Sequence, residues 1–249
     1  MNLQSTFAAA ILAAGAFTGA GPALAQSTPM PYVAGASVGN FSYRLVDLAP
    51  DDGIAPWIGV SPYTTSGYAH VYDQEGNHID GADIDAPGDA GFANDYAAAR
   101  FGIGAGATEA SLSLYSGYAY ASANQDFRFM LTPHTEVVFS ADALVWAAHD
   151  PAAEHDTATA IAELFGSLRN VGDDDGLAFS TSSQVTQDTR AEWLSLSVHS
   201  GDDWAVGHVT MSAYGVAESH ALPVPEPAMP AMLLGGMGLL AVAGRRYRK

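Results

Sequence analysis

Ser37-Val38-Gly39-Asn40-Phe41-Ser42-Tyr43-Arg44-Leu45-Val46-Asp47-Leu48 is the stretch whose reading decides the fold. Val38, Asn40, Ser42 and Arg44 alternate along it with Phe41, Tyr43 and Leu45. A period of two sends successive side chains to opposite faces, so the stretch predicts a strand with one face on a core and one in water. Ala110 to Ala121 repeats the pattern, with Leu112, Leu114, Tyr118 and Tyr120 as its large apolar positions. Glu192 to His199 sets Trp193, Ser195 and Ser197 against Leu194, Leu196 and Val198, and Trp204 to Val216 alternates more weakly. Thr135 to Ala148 is a long β-rich run, and Phe127 to Leu131 reads as a short strand ended by Thr132-Pro133.

Turn signals separate these runs: Asp51-Asp52-Gly53, Glu75-Gly76-Asn77, Pro87-Gly88, Gly172-Asp173-Asp174-Asp175-Gly176 and Ser200-Gly201-Asp202-Asp203. Strands spaced by such turns predict an all-β body, an antiparallel β-sandwich or jelly roll. Ala158 to Leu168 fits a helical or a strand period equally well, and both stay open. Asp73 to Asn94, rich in Gly, Asp and Ala, predicts a long loop.

The two ends of the chain differ from this middle. Residues 1–25 run through Phe7-Ala8-Ala9-Ala10-Ile11-Leu12-Ala13-Ala14 to Ala23-Leu24-Ala25, an apolar stretch closing on an A-x-A site. This reads as a secretory signal peptide, although no Lys or Arg precedes the apolar run. Residues 26–223 then form one acidic domain, and residues 224–249 a separate tail. The chain has nine basic and 27 acidic residues. Setting aside Arg245, Arg246, Arg248, Lys249 and Glu226 of the tail leaves five arginines, no lysine and 26 acids in the body, a net charge of −21. Such a surface repels nucleic acid phosphates and anionic lipid headgroups, so a nucleic-acid partner is not expected. With no cysteine, disulfides, thiol catalysis and cysteine-held metal sites are excluded, and an apolar core alone must carry the fold.

The tail has three parts. Val224-Pro225-Glu226-Pro227 is a spacer that cannot be helical. Ala228 to Gly244 is 17 residues without a charge. Arg245-Arg246-Tyr247-Arg248-Lys249 closes the chain. A helix over the middle part would reach only about 25 Å, against a hydrocarbon core of about 30 Å. Gly235, Gly236 and Gly238 weaken it further. The basic end would stay cytoplasmic and the body would face outward. A span this marginal suits a temporary membrane handle better than a permanent anchor.

This three-part order resembles the PEP-CTERM sorting signal: Pro225, Glu226 and Pro227 as its sorting motif, Met229 to Ala243 as its hydrophobic helix, and Arg245, Arg246, Arg248 and Lys249 as its basic stop. The resemblance implies processing by an exosortase in a Gram-negative bacterium that makes exopolysaccharide. It also implies an inner-membrane precursor whose body lies in the periplasm and later reaches the cell surface or medium. Phe41 to Leu48, followed by Asp51-Asp52-Gly53-Ile54-Ala55-Pro56, is similar to the opening of uncharacterised PEP-CTERM ectodomains, which brings no activity with it.

Chemistry within the body is harder to place. Asp173, Asp174 and Asp175 in one Gly-flanked turn, and Asp80, Asp83, Asp85 and Asp89 in another stretch, offer the clustered carboxylates that calcium takes, but neither fits a full EF-hand loop. A solvated acidic turn is the plainer alternative. His149-Asp150 with Glu154-His155 is the one local His/acid cluster. No G-x-S-x-G elbow occurs, and Ser66, Ser116 and Ser200 stand beside glycines in what read as turns or bends. Trp57, Trp146, Trp193 and Trp204, with Tyr115, Tyr118 and Tyr120, suit either a sugar-stacking platform or cross-strand packing. The expectation is a non-enzymatic exported protein, structural or adhesive within an exopolysaccharide or biofilm matrix. A secreted carbohydrate-active enzyme and a calcium-dependent glycan-binding module are the alternatives.

Overall fold

The computed structural model describes residues 31–149, 156–172 and 175–220. Each alternating run forms a strand. In chain order they are β1 (Tyr32–Asp47), β2 (Ile58–Tyr72), β3 (His78–Ile84), β4 (Gly88–Ala93), β5 (Ala97–Gly104), β6 (Ala107–Leu114), β7 (Gly117–Leu131), β8 (Thr135–Ala148), β9 (Thr157–Asn170), β10 (Leu177–Val185), β11 (Asp188–His199) and β12 (Ala205–Ser219). The first sheet has the order β11-β8-β1-β6-β5-β4 and the second β10-β9-β12-β7-β2-β3. All ten strand pairings are antiparallel. The body is a β-sandwich, as the sequence predicts.

Short turns carry the chain across both margins of the sandwich, from β3 to β4 on one side and from β10 to β11 on the other. The four edge strands therefore sit beside their covalent neighbours in the opposite sheet, which limits the open edge available for pairing with another chain.

The core divides into two parts. One is alanine-rich: Ala34, Ala36, Ala119, Ala121, Ala123, Ala141, Ala158, Ala160 and Ala162 pack around Phe101, Leu114, Leu164 and Met211. The other is built from large side chains, Phe129, Leu131, Val137, Phe139, Leu168, Val198 and Val209. Phe41 joins them. Its ring stacks on Phe127 of the opposite sheet at 5.0 Å and lies 5.8 Å from Phe139.

Three sequence expectations change, and one that the sequence left open is settled. Asp73 to Asn94 is not one long loop, since it contains β3 and β4. Ala158 to Leu168 is strand, within β9, with Ala158, Ala160, Ala162 and Leu164 inward. Phe127 to Leu131 is only the end of the 15-residue β7. Ala110 to Ala121 is two strands that change sheets at Tyr115-Ser116. Beyond that break the inward residues are Ala119 and Ala121, which puts Tyr118 and Tyr120 on the outer face.

The deciding stretch itself holds a bulge. Pairing of β1 with β8 slips by one residue between Gly39 and Ser42, and Asn40 there takes a left-handed φ of 53°. Asn tolerates that region better than most residues. The slip reverses the alternation. Val38 faces the core before it and Phe41 after it, so both apolar sets of the stretch are used.

Candidate functional site

The outer face of the second sheet is where side chains capable of recognition converge. Four neighbouring strands build it: β9, β12, β7 and β2. Register fixes its rows. Tyr72 faces Tyr118, His70 faces Tyr120, and Tyr214 faces Ser122. Further along, Thr64 and Thr210 flank Asp126, and His208 lies between Arg128 and Ser167.

One end is a tyrosine and histidine patch. Tyr72 and Tyr120 stack at 6.1 Å with their hydroxyls 3.4 Å apart. Tyr68 meets Tyr120 edge-on at 5.7 Å. Burial and the bond to Tyr72 push the Tyr120 hydroxyl above its ordinary range, and burial does the same for Tyr214. Both therefore stay neutral hydrogen-bonding groups at any physiological pH. His70 lies 3.1 Å from His78 through Nδ1 and 3.1 Å from Asp83 through Nε2. Gly81 sits opposite His70, and a Cβ there would come within 2.4 Å of the ring. Tyr72, Tyr118, Tyr120, Glu218 and His220 border a hollow of about 370 Å³.

The middle of the face is polar. Asp126 accepts hydrogen bonds from the hydroxyls of Thr64 and Thr210. Burial on β9 raises the Glu163 carboxyl above the usual range.

The other end is a groove of about 760 Å³ bordered by Gly59, Ser61, Arg128, Met130, Arg169 and His208. Next to its Gly59 border, Trp57 and Trp204 meet edge to face with ring centroids 6.1 Å apart. They are 47% and 42% exposed, so their contact leaves open ring faces. Gly59 makes this possible, because a Cβ there would fall 2.6 Å from the Trp57 ring.

A polar network behind the pair holds it in place. Thr132 Oγ1 accepts the Trp57 backbone N–H at 2.9 Å, and the Thr132 N–H donates back to the Trp57 carbonyl. The buried Ser200 hydroxyl donates to the Thr132 carbonyl at 2.7 Å and accepts from the Thr135 N–H at 2.9 Å. His134, at a left-handed φ of 51°, lies 2.7 Å from Asp52 and 3.0 Å from Asp202. Three loops are thus tied at one point, those from β1 to β2, from β7 to β8 and from β11 to β12. The bonds to Asp52 and then Asp202 raise the His134 pKa above its ordinary value, and the bond to His134 holds the Asp52 carboxyl below its own. Ser200, one of the glycine-adjacent serines that the sequence places in a turn or bend, is a buried tie between backbone segments.

The remaining sequence candidates do not gather. Trp146 and Trp193 lie on the first sheet, where Trp146 covers Gly35 and Trp193 is 60% exposed. Tyr115 is exposed at the turn between β6 and β7. Asp80 accepts from Asn94, Asp83 contacts His70, Asp89 lies 3.9 Å from Arg100, and Asp85 is exposed. Among the described residues no three His, Asp or Glu side chains are arranged to hold a metal ion. Asp173 and Asp174 lie outside the described residues, as do Asp150, Glu154 and His155, while Asp175 is exposed.

β12 closes at Ser219, and the chain continues into its three-part tail. Residues 223–249 match the PEP-CTERM protein-sorting motif. The chain carries a PEP-CTERM tail. Pro225, Glu226, Pro227 and the basic stop at Arg245, Arg246, Arg248 and Lys249 all fall within that match. The PEP-CTERM motif marks a protein that is exported and sorted to the membrane or cell surface by an exosortase. The hydrophobic run of the tail and the signal-peptide stretch lie outside the described residues. Among those described, no helix is long and apolar enough to cross a membrane. No curated protein and no solved structure matches this chain.

Proposed function

We propose that the body of this PEP-CTERM protein is a non-catalytic glycan-binding ectodomain. Exosortase processing delivers it to the cell surface or the surrounding polymer, where it acts as a structural or adhesive element of an exopolysaccharide matrix. The observation that carries this reading is the Trp57–Trp204 pair, exposed next to the Gly59 border of the groove and braced from behind by Ser200 and His134. Indole rings bury much area for little conformational entropy and dominate binding hot spots when their surroundings are rigid. A braced, open aromatic pair beside a row of hydrogen-bonding groups suits the flat apolar faces and peripheral hydroxyls of sugar rings.

The test is glycan-array binding by the full chain, with Trp57→Ala and Trp204→Ala as probes. The expected result is binding to one or more polysaccharides, weakened at least ten-fold in either variant while the melting midpoint moves little. A silent array overturns the glycan reading. Polysaccharide turnover that survives purification and disappears in an acid-to-amide variant would instead make the protein an enzyme. Deleting Arg245 to Lys249 tests delivery, and unchanged C-terminal processing in that deletion would count against exosortase handling.

A further inference from the structure

The glycan-binding reading, on which this inference rests, leaves the chemistry of the glycan open, and the charges on the outer face of the second sheet narrow it. The body holds five arginines and no lysine against 26 acids. Two of the five, Arg128 and Arg169, border the groove with His208 between them, and all three side chains are exposed; Gly59, on the same groove, lies against the Trp57 ring. Elsewhere Arg100 lies 3.9 Å from Asp89 and Arg190 lies 3.5 Å from Glu192. Among the described residues Arg169 enters no salt bridge.

Register shows how the cations are spaced. Arg128 on β7, His208 on β12 and Ser167 on β9 form one cross-strand row. Arg169 is two residues further along β9, opposite Val206. Two strand spacings and one side-chain repeat separate the bases of the two arginines by roughly 12 Å. Ser167 Oγ lies 3.2 Å from His208 Nδ1. When the serine donates there, Nε2 carries the imidazole proton and is left as an outward donor. The row therefore presents donors, two of them planar forks whose geometry fits carboxylates in a bidentate manner. Asp126 is the nearest carboxylate along β7, two residues from Arg128 on the same face, and its oxygens accept from Thr64 and Thr210.

We infer that the groove binds an acidic glycan, with Arg128 and Arg169 each receiving a sugar carboxylate and Trp57 and Trp204 taking the ring faces. Two fixed cations roughly 12 Å apart suit an anion with charges repeated along an extended chain. A polymer of that kind would be repelled by the rest of a body at net −21, so the groove also sets where and in which orientation it attaches.

The experiment is calorimetric titration of the full chain with a tetrameric uronate oligosaccharide and, separately, an uncharged glucose tetramer. The expected result in low salt is at least ten-fold tighter binding of the uronate. Arg128→Gln and Arg169→Gln should each abolish most of that preference while leaving the glucose tetramer unchanged, and 0.5 M sodium chloride should shrink it. Arg44→Gln, on β1 and away from the groove, should leave the preference intact; an equal loss there would assign it to net charge and overturn the inference. Equal binding of the two tetramers overturns the acidic-glycan inference and spares the glycan-binding reading. No binding of either overturns both. Melting curves identify any variant that fails to fold, and Arg169→Lys then tests the fork, with weakened uronate binding expected despite the retained charge.

Discussion

Both sheets place a tryptophan over a glycine on their outer face, yet the two arrangements differ. On the first sheet Trp146 stands directly opposite Gly35 in the strand ladder, where a Cβ on that glycine would fall 2.3 Å from the ring. On the second, Trp57 precedes the strand that holds Gly59, and its neighbour Trp204 precedes another. In the middle of a sheet the indole serves as a lid on bare backbone, and its ring face is used up in doing so. At a strand end it is held by loop contacts, and its faces stay open. The same residue type therefore acts as packing in one place and as display in the other, and position along the strand decides which.

This contrast can be broken by substitution. Trp146→Ala uncovers Gly35 and should cost about 2 kcal/mol, less than for a fully buried tryptophan because the ring is only half-buried. Trp193→Ala, on the same sheet but largely exposed, should stay within about 0.5 kcal/mol. Urea unfolding of the two variants measures both, and equal losses would remove the distinction between lid and display. Ser200→Ala sharpens the other side of the comparison. It removes a donor from the Thr132 carbonyl and an acceptor from the Thr135 N–H, at a cost of about 1–2 kcal/mol. It should also loosen Trp57, seen as a red shift and broadening of its fluorescence.

The smallest effect concerns His134. A histidine whose folded pKa is raised stabilises fully below its unfolded value of 6.5, and that contribution is lost as pH rises through the folded value. Asp52, with its pKa lowered, contributes above its unfolded value of 3.8 and loses its contribution as pH falls through the folded one. The pair thus works best between about pH 4 and 6.5. Asn tolerates the left-handed φ, so His134→Asn isolates the charge effect. The gap in melting midpoint between the parent and this variant should be widest near pH 5 and narrow as pH rises above 6.5 or falls below 3.8. A gap that does not vary with pH would show that the tie depends on shape alone.

Strands with large alternating residues, such as Glu192 to His199, were legible in the sequence, because Leu194, Leu196 and Val198 leave little doubt about which face is inward. The tyrosines of β7 misled for the opposite reason. Their inward partners are Ala119, Ala121 and Ala123, which carry so little apolar surface that the tyrosines read as the core set. β3 and β4 escaped notice because Gly, Asp and Ala have weak strand preference, and these strands exist only by pairing with β2 and β5. The groove was invisible in one dimension, since Arg128, Arg169 and His208 come from three separate strands.

From sequence alone came the all-β body, its acidity, its freedom from cysteine and the PEP-CTERM tail, because composition, period and short linear motifs are local properties. Tertiary structure alone decided three things. It set the bulge at Asn40 that lets both Val38 and Phe41 of Ser37 to Leu48 face the core. It chose the alanine side of β7 for the core, which turned Tyr118 and Tyr120 outward. It also brought together Trp57 and Trp204, which are 147 positions apart in the sequence. Each depends on the register between strands distant in the chain. Register is set by the packing of whole faces against each other, a choice that no single stretch contains.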